Sequence, residues 1–168
     1  MASATGMTSG RGMGLGRALA GLALLLTSLE FLLGMDVNLY TTCLPSDTRT
    51  LFASNPCPGS SQVGLEAHVV LGLLLVVVAI GLLAWGLSRR IPRVAGPAFG
   101  GLLGVVIAAV GGFEYLSTTN PAYSFLMAVG FLIAVGAYFQ VLIGLRDLAR
   151  QASTPVGWSA PAAANPPP

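Results

Sequence analysis

The chain has no lysine, one histidine, two cysteines and only six acidic residues among 168. Charged residues make up 8% of it, where an ordinary soluble domain carries about 25%. So few charges cannot clothe a water-facing surface. A soluble domain of this length would present a largely apolar exterior, a conflict that a lipid-facing exterior removes. A net charge of +2, with no basic patch interleaved with aromatics, argues against a nucleic-acid partner. There is no Walker loop, nucleophile elbow, HExxH or CxxC. No segment is dense in acids or arginines as pumps and voltage sensors are. The first pair of apolar segments does not recur in the second, so the inverted repeat of many transporters is missing. No residue set reads as catalytic, and an enzyme is not expected.

What the chain does have is apolar length. Four runs, 15–35, 65–87, 94–115 and 121–145, are each long enough to span a bilayer as a helix. At 1.5 Å per residue the first covers roughly 31 Å, about the hydrocarbon thickness. Asn120-Pro121 is a helix start signal, a capping side chain followed by proline where a missing N–H costs nothing. The links 88–92 and 116–120 are so short that helices two, three and four must run as antiparallel neighbours. The expected fold is an all-α, four-helix transmembrane bundle over residues 14–150. Residues 1–13 form a Gly/Ser/Thr-rich disordered lead, and residues 151–168 a Pro/Ala-rich disordered tail.

Arginine placement orients the bundle. Arg11 and Arg17 precede helix one, Arg89, Arg90 and Arg93 lie between helices two and three, and Arg146 and Arg150 follow helix four; only Arg49 falls on the other side. The positive-inside rule then puts both termini in the cytoplasm and the long 36–64 connection outside, in a cell membrane. Helix one has the basic start and apolar run of a signal peptide but no small-x-small cleavage site, so it reads as an uncleaved anchor. Trp85, near the inner end of helix two, has the place of an interfacial indole.

Cys43 and Cys57 both fall in the outward connection, where paired thiols oxidise. A bridge between them would close a 15-residue loop, worth about 3 kcal/mol in the chain-entropy model. The expected role is a structural disulfide that pins the loop above the bundle, since redox work favours a CxxC pair and zinc would need two more ligands.

Glu30 is the most informative acid. It lies inside helix one near its outer end, where a lone charge is costly and seeks a partner in the bundle interior. His68 lies at a similar depth in helix two, so a Glu30–His68 contact is expected, with Tyr115 or Tyr123 adding a hydroxyl. Glu66 points about 200° away from His68 and belongs to no shared site. Three roles stay open for the pair: a register-fixing polar contact, a proton-titratable site of a small transporter or channel, or a ligand site of a haem- or quinone-linked redox module. Haem would need a second axial ligand, Met35 or the His68 of a second copy; no other cofactor is expected.

Gly96, Gly100, Gly104, Ala108 and Gly112 recur every four residues along helix three, making a groove that another helix can approach closely. It seats helix four or a partner. Gln140 is expected to make an interhelical hydrogen bond worth roughly 0.6 kcal/mol. With few polar groups and a small-residue groove, the leading expectation is a non-catalytic accessory or assembly subunit of a larger membrane complex, or a homo-oligomer.

A cysteine-bearing first outer loop on four helices resembles the claudin-like tetraspans in layout. Their tryptophan-containing signature before the cysteine pair is absent here and this pair is spaced wider, so none of their function carries over. The run LEFLLGMDVNLY (Leu29–Tyr40), followed by EAHVVLG (Glu66–Gly72), is similar to small prokaryotic four-helix integral membrane proteins of uncharacterised function. That resemblance covers a small part of the chain. It singles out Glu30, Asn38 and His68 and implies no activity.

Overall fold

The computed structural model describes residues 8–40 and 60–153. They form four helices: α1 (Thr8–Tyr40), α2 (Ser60–Ser88), α3 (Pro92–Thr118) and α4 (Pro121–Ser153). All four are long and apolar enough to cross a membrane. Each helix packs against two neighbours, α1 on α2, α2 on α3, α3 on α4 and α4 on α1, which is a four-cornered bundle. The α3–α4 seam is the most extensive. Apolar side chains also cover the exterior, Leu25, Leu32, Val77, Phe99, Val110 and Leu132 among them. A helix that is apolar on every face is a membrane or deep-core helix, and apolar faces turned outward fit a lipid surround.

Every helix outruns its apolar run. α1 begins at Thr8, within the segment expected to be a disordered lead, and α4 continues to Ser153, past Arg146 and Arg150. Hydropathy marks where hydrocarbon ends. Helical hydrogen bonding does not stop there, because adding a residue to an existing helix requires no new nucleus. The Arg89 guanidinium supports the α1 extension by packing over Gly12, 3.1 Å from where a Cβ would stand.

The two short turns are closed by their own chemistry. After α2, Arg90 takes a left-handed φ of 52°. The Ile91 N–H donates to the Gly86 carbonyl at 3.1 Å and the Arg90 N–H to that of Leu87 at 3.0 Å, the paired bonds of a Schellman C-cap. Pro92 then opens α3, at a position that needs no N–H donor. After α3, Thr119 is left-handed with φ 53° and its N–H donates to the Tyr115 carbonyl at 2.8 Å. Asn120 caps α4 by accepting from the Ala122 N–H at 3.0 Å.

The α3–α4 seam is built from backbone. A Cβ on Gly104 would stand 2.7 Å from the Ala134 nitrogen and the Gly130 carbonyl oxygen, and one on Gly111 2.9 Å from the Tyr123 carbonyl oxygen. Gly101 lies beneath the Tyr138 ring, with its Cβ position 2.7 Å from Cζ. The close positions are thus Gly101, Gly104, Ala108 and Gly111, with Gly130 opposite. The every-fourth-residue stripe coincides with them only at Gly104 and Ala108. Gly100 and Gly112 make ordinary contacts with Ala137 and Met127, and Gly96 faces open space. At 3.6 residues per turn, steps of four drift around the helix, and steps of three and four in alternation stay on the seam.

The bundle is packed at one end and hollow at the other. Ala20, Ala23, Leu26, Leu75, Leu82, Ala98, Tyr138, Val141 and Leu145 belong to one buried core. It fills the half nearer the α2–α3 turn, the arginine end. Trp85 belongs to it: only 8% exposed, it lies over Gly16 of α1 instead of standing at an interface. At the opposite, acidic end the buried apolar cluster is Val37 and Leu65, with Leu116 against them.

Candidate functional site

The site begins with two apposed pairs. α1 carries Glu30 and, one turn on, Gly34. α2 carries His68 and, one turn on, Gly72. The helices run antiparallel, so each polar side chain lies over the other helix's glycine. A Cβ on Gly72 would stand 2.9 Å from Glu30 Oε1, and one on Gly34 3.2 Å from His68 Cε1. These glycines leave room for the carboxylate to meet the imidazole, and Glu30 Oε2 contacts His68 Nδ1. Glu30 is only 2% exposed, while the His68 side chain keeps 19% of its surface open. Glu30 Oε1 has no hydrogen-bond partner among the described residues. Thr27, one turn before it, gives its hydroxyl to the Ala23 carbonyl at 2.7 Å and does not serve it.

The pair stands on the wall of a cavity of about 400 Å³ lined by all four helices. Glu30, His68, Asn38 and Tyr115 all line it. Asn38 lies eight residues beyond Glu30, about 12 Å along α1. The other walls are mostly apolar and ring-bearing: Phe31, which meets Phe131 edge-on at 6.0 Å, Phe113, Leu65 and Met127. Ser124 on α4 adds a hydroxyl that sequence reasoning missed. Tyr123 and Glu66 are not among the lining residues. Gly34 was missed as well. Its signal was its place one turn from Glu30, but which helix it faces depends on how α1 crosses α2.

Arg17, Arg89, Arg90, Arg93, Arg146 and Arg150 sit at the other end of the bundle, and none lines the cavity. No group of three or more His, Cys, Asp or Glu residues is placed to hold a metal ion among the described residues. Cys43 and Cys57, with their expected bridge, lie outside the described residues. Among the described residues Gln140 does not make its expected interhelical bond. It is exposed on an outer groove between α3 and α4 with Gly96, Pro97, Gly100, Gly136 and Ala137.

The chain matches no family, no curated protein and no solved structure. Fold and site define its class: a multi-pass α-helical membrane protein, with four spanning helices and a polar pair at the wall of a hollow between them.

Proposed function

We propose that this chain is a binding protein of the cell membrane, with both termini cytoplasmic, that takes a small membrane-soluble molecule into the hollow at its acidic end. His68 meets the ligand and Glu30 holds the imidazole. The observation that carries this reading is the buried Glu30–His68 pair at the wall of a cavity of about 400 Å³. That volume is within the range of small-molecule sites, as is an apolar lining with a few convergent polar groups. A pair that served register alone would be as useful in the packed half, where no void adjoins it. The same core, with Ala20, Leu82, Ala98 and Tyr138 buried across it, gives a proton-linked transporter or channel less support.

The orientation rests on seven of the eight arginines falling on one side of the spans. It places residues 41–59 outside, where Cys43 and Cys57 would form a disulfide. A C-terminal fluorescent-protein fusion that fluoresces, with a C-terminal alkaline phosphatase fusion that stays inactive, is the expected topology result. The reverse pattern overturns it. Intact mass before and after reduction tests the bridge.

The binding reading is tested by purifying the full chain in mild detergent and titrating it with an apolar fluorescent probe. Saturable binding at one site per chain is expected, with loss of that site in Gly112→Leu, where a side chain has room to enter the hollow. Unsaturable partitioning, equal in both proteins, refutes it.

The outer α3–α4 groove favours a second reading, an accessory subunit of a larger membrane complex or a homo-oligomer. Gly96, Gly100 and Gly136 allow a close approach, and Gln140 offers a hydrogen bond in a place where lipid offers none. Stoichiometric co-purification of other membrane subunits from the native membrane supports it. A single monomeric species opposes it.

A further inference from the structure

The geometry points to the ligand class: a neutral, ring-bearing lipid-soluble molecule with hydrogen-bonding oxygens, of the quinone and quinol type, held by His68 Nε2. This rests on the binding reading above and narrows it.

Three observations carry it. The first is charge. The Glu30 carboxylate already occupies His68, and among the described residues no arginine lines the cavity. An anionic head, a fatty carboxylate or a haem propionate, would bring a charge beside the Glu30 carboxylate with no arginine among the described lining residues to meet it, which is costly. The head is therefore neutral.

The second is hydrogen bonding. Nδ1 is engaged by Glu30, and Nε2 has no partner among the described residues. A carboxylate on Nδ1 fixes the ring and its tautomer, so Nε2 is presented in one orientation. With the neutral ring's proton on Nδ1, Nε2 accepts, which suits a quinol hydroxyl. On the imidazolium Nε2 donates, which suits a quinone carbonyl. Nε2 thus has a hydrogen-bonding role with either form of the ligand, as acceptor or as donor. Glu30 is the positioning residue, too deeply buried to be the contact itself.

The third is shape. Rings line the hollow from three helices, Phe31 of α1, Phe113 and Tyr115 of α3 and Phe131 of α4. Aromatic walls pack offset or edge-on against a planar ring, and a flexible alkyl chain gains nothing particular from them. Asn38 and Ser124 line the same hollow and can meet further oxygens on the ring.

The test uses the purified full-length protein in detergent and equilibrium dialysis with four probes: a decyl-substituted benzoquinone, its quinol, decan-1-ol and decanoate. Quinone and quinol should compete for one saturable site, with the alcohol and the carboxylate each at least tenfold weaker. His68→Phe keeps the volume and removes Nε2, and should weaken quinone about tenfold, the equivalent of about 1.4 kcal/mol. His68→Gln, which keeps a hydrogen-bonding head should the phenylalanine variant not fold, should retain more binding than His68→Phe does. Decan-1-ol binding as tightly as the quinone overturns the ligand class and leaves the cavity reading standing. A haem absorption band in the purified protein does the same, and quinone binding unchanged in His68→Phe overturns the Nε2 contact and with it the place given to His68 in the binding reading. Binding of none of the four probes by folded protein overturns both the ligand class and the cavity reading.

Discussion

Glu30 and His68 each sit where a lone ionisable group is unfavourable, and among the described residues each is the ionisable partner of the other. Breaking a buried pair leaves one polar group stranded, at about 3–5 kcal/mol in soluble proteins. Interhelical polar contacts in membranes are weaker, with a largest measured coupling of about 1.7 kcal/mol, and a stranded carboxyl neutralises before it bears the full penalty. The membrane values therefore decide the size of the effect. Glu30→Leu or His68→Phe alone should destabilise by about 1–2 kcal/mol, and the double variant by less than the sum. Reversible unfolding in mixed detergent micelles measures the cycle, and strict additivity would show the two side chains to be independent. That these residues meet was legible in the sequence, because both are expensive in lipid and fall at one depth. The glycines that let them meet were not, since a glycine carries no sign of what lies above it. Gly72→Ala makes that role measurable. Its Cβ would stand 2.9 Å from the flexible end of Glu30, so the carboxylate can swing aside at small cost in stability, yet the imidazole loses its anchor. Ligand affinity should fall several-fold, while stability should fall by less than in Glu30→Leu, because the helix propensity of alanine offsets part of the lost contact. At Gly64 the nearest atom to an added Cβ is Asp36 Oδ2 at 3.6 Å, ordinary contact, and alanine there should change neither.

Between elements, stability depends on how closely backbones approach. A Cβ on Gly130 would stand 2.6 Å from the Gly104 carbonyl oxygen, and backbone cannot rotate aside as a side-chain tip can. Gly130→Ala should therefore separate α3 from α4 and destabilise by about 1–3 kcal/mol. Gly96→Ala, facing open space, should stabilise by up to about 1 kcal/mol through helix propensity. Thermal unfolding of the two variants in one detergent gives opposite signs if the seam follows Gly101, Gly104, Ala108 and Gly111, and destabilisation by both if it follows the four-residue stripe. Four spans and their order were legible because apolar length is what lipid demands of a helix. Their ends were not, because backbone hydrogen bonding continues through Asn38 at one end and Arg146 at another where hydropathy stops. Trp85 misled for a related reason: an indole near a span end fits an interface, but Gly16 on a helix remote in sequence makes a buried place for it. At the α2–α3 turn the sequence holds Arg90 where a left-handed residue is needed, a conformation that costs an L-residue about 1–2 kcal/mol. Arg90→Gly should raise stability by about 1 kcal/mol in the same assay, and no change would mean that the guanidinium makes contacts worth as much.

Across the whole molecule, packing is divided between the two ends, and the division bears on function. The arginine half is closed by small and large side chains in alternation, Ala20 and Ala98 with Leu82 and Tyr138. The acidic half keeps a hollow of about 400 Å³ and a polar pair on its wall. An apolar hollow that serves nothing is a standing loss, because its lining atoms lack neighbours and surrounding structure recovers only part of that. Filling it should then stabilise the protein, and if the hollow is a binding site the same change should remove binding. Gly112→Leu tests both at once. Its Cβ meets nothing nearer than Met127 Sδ at 3.7 Å, and leucine adds helix propensity as well as volume. The unfolding free energy should rise by about 1–2 kcal/mol while quinone binding is lost. A rise in stability with binding intact would place the ligand elsewhere on the bundle. A fall in stability would mean that α1 or α4 closes over the hollow more tightly in the membrane than its walls suggest. The expected opposition between stability and binding is that of a site kept open at a thermodynamic disadvantage, and it separates a functional cavity from a packing fault without any knowledge of the native ligand.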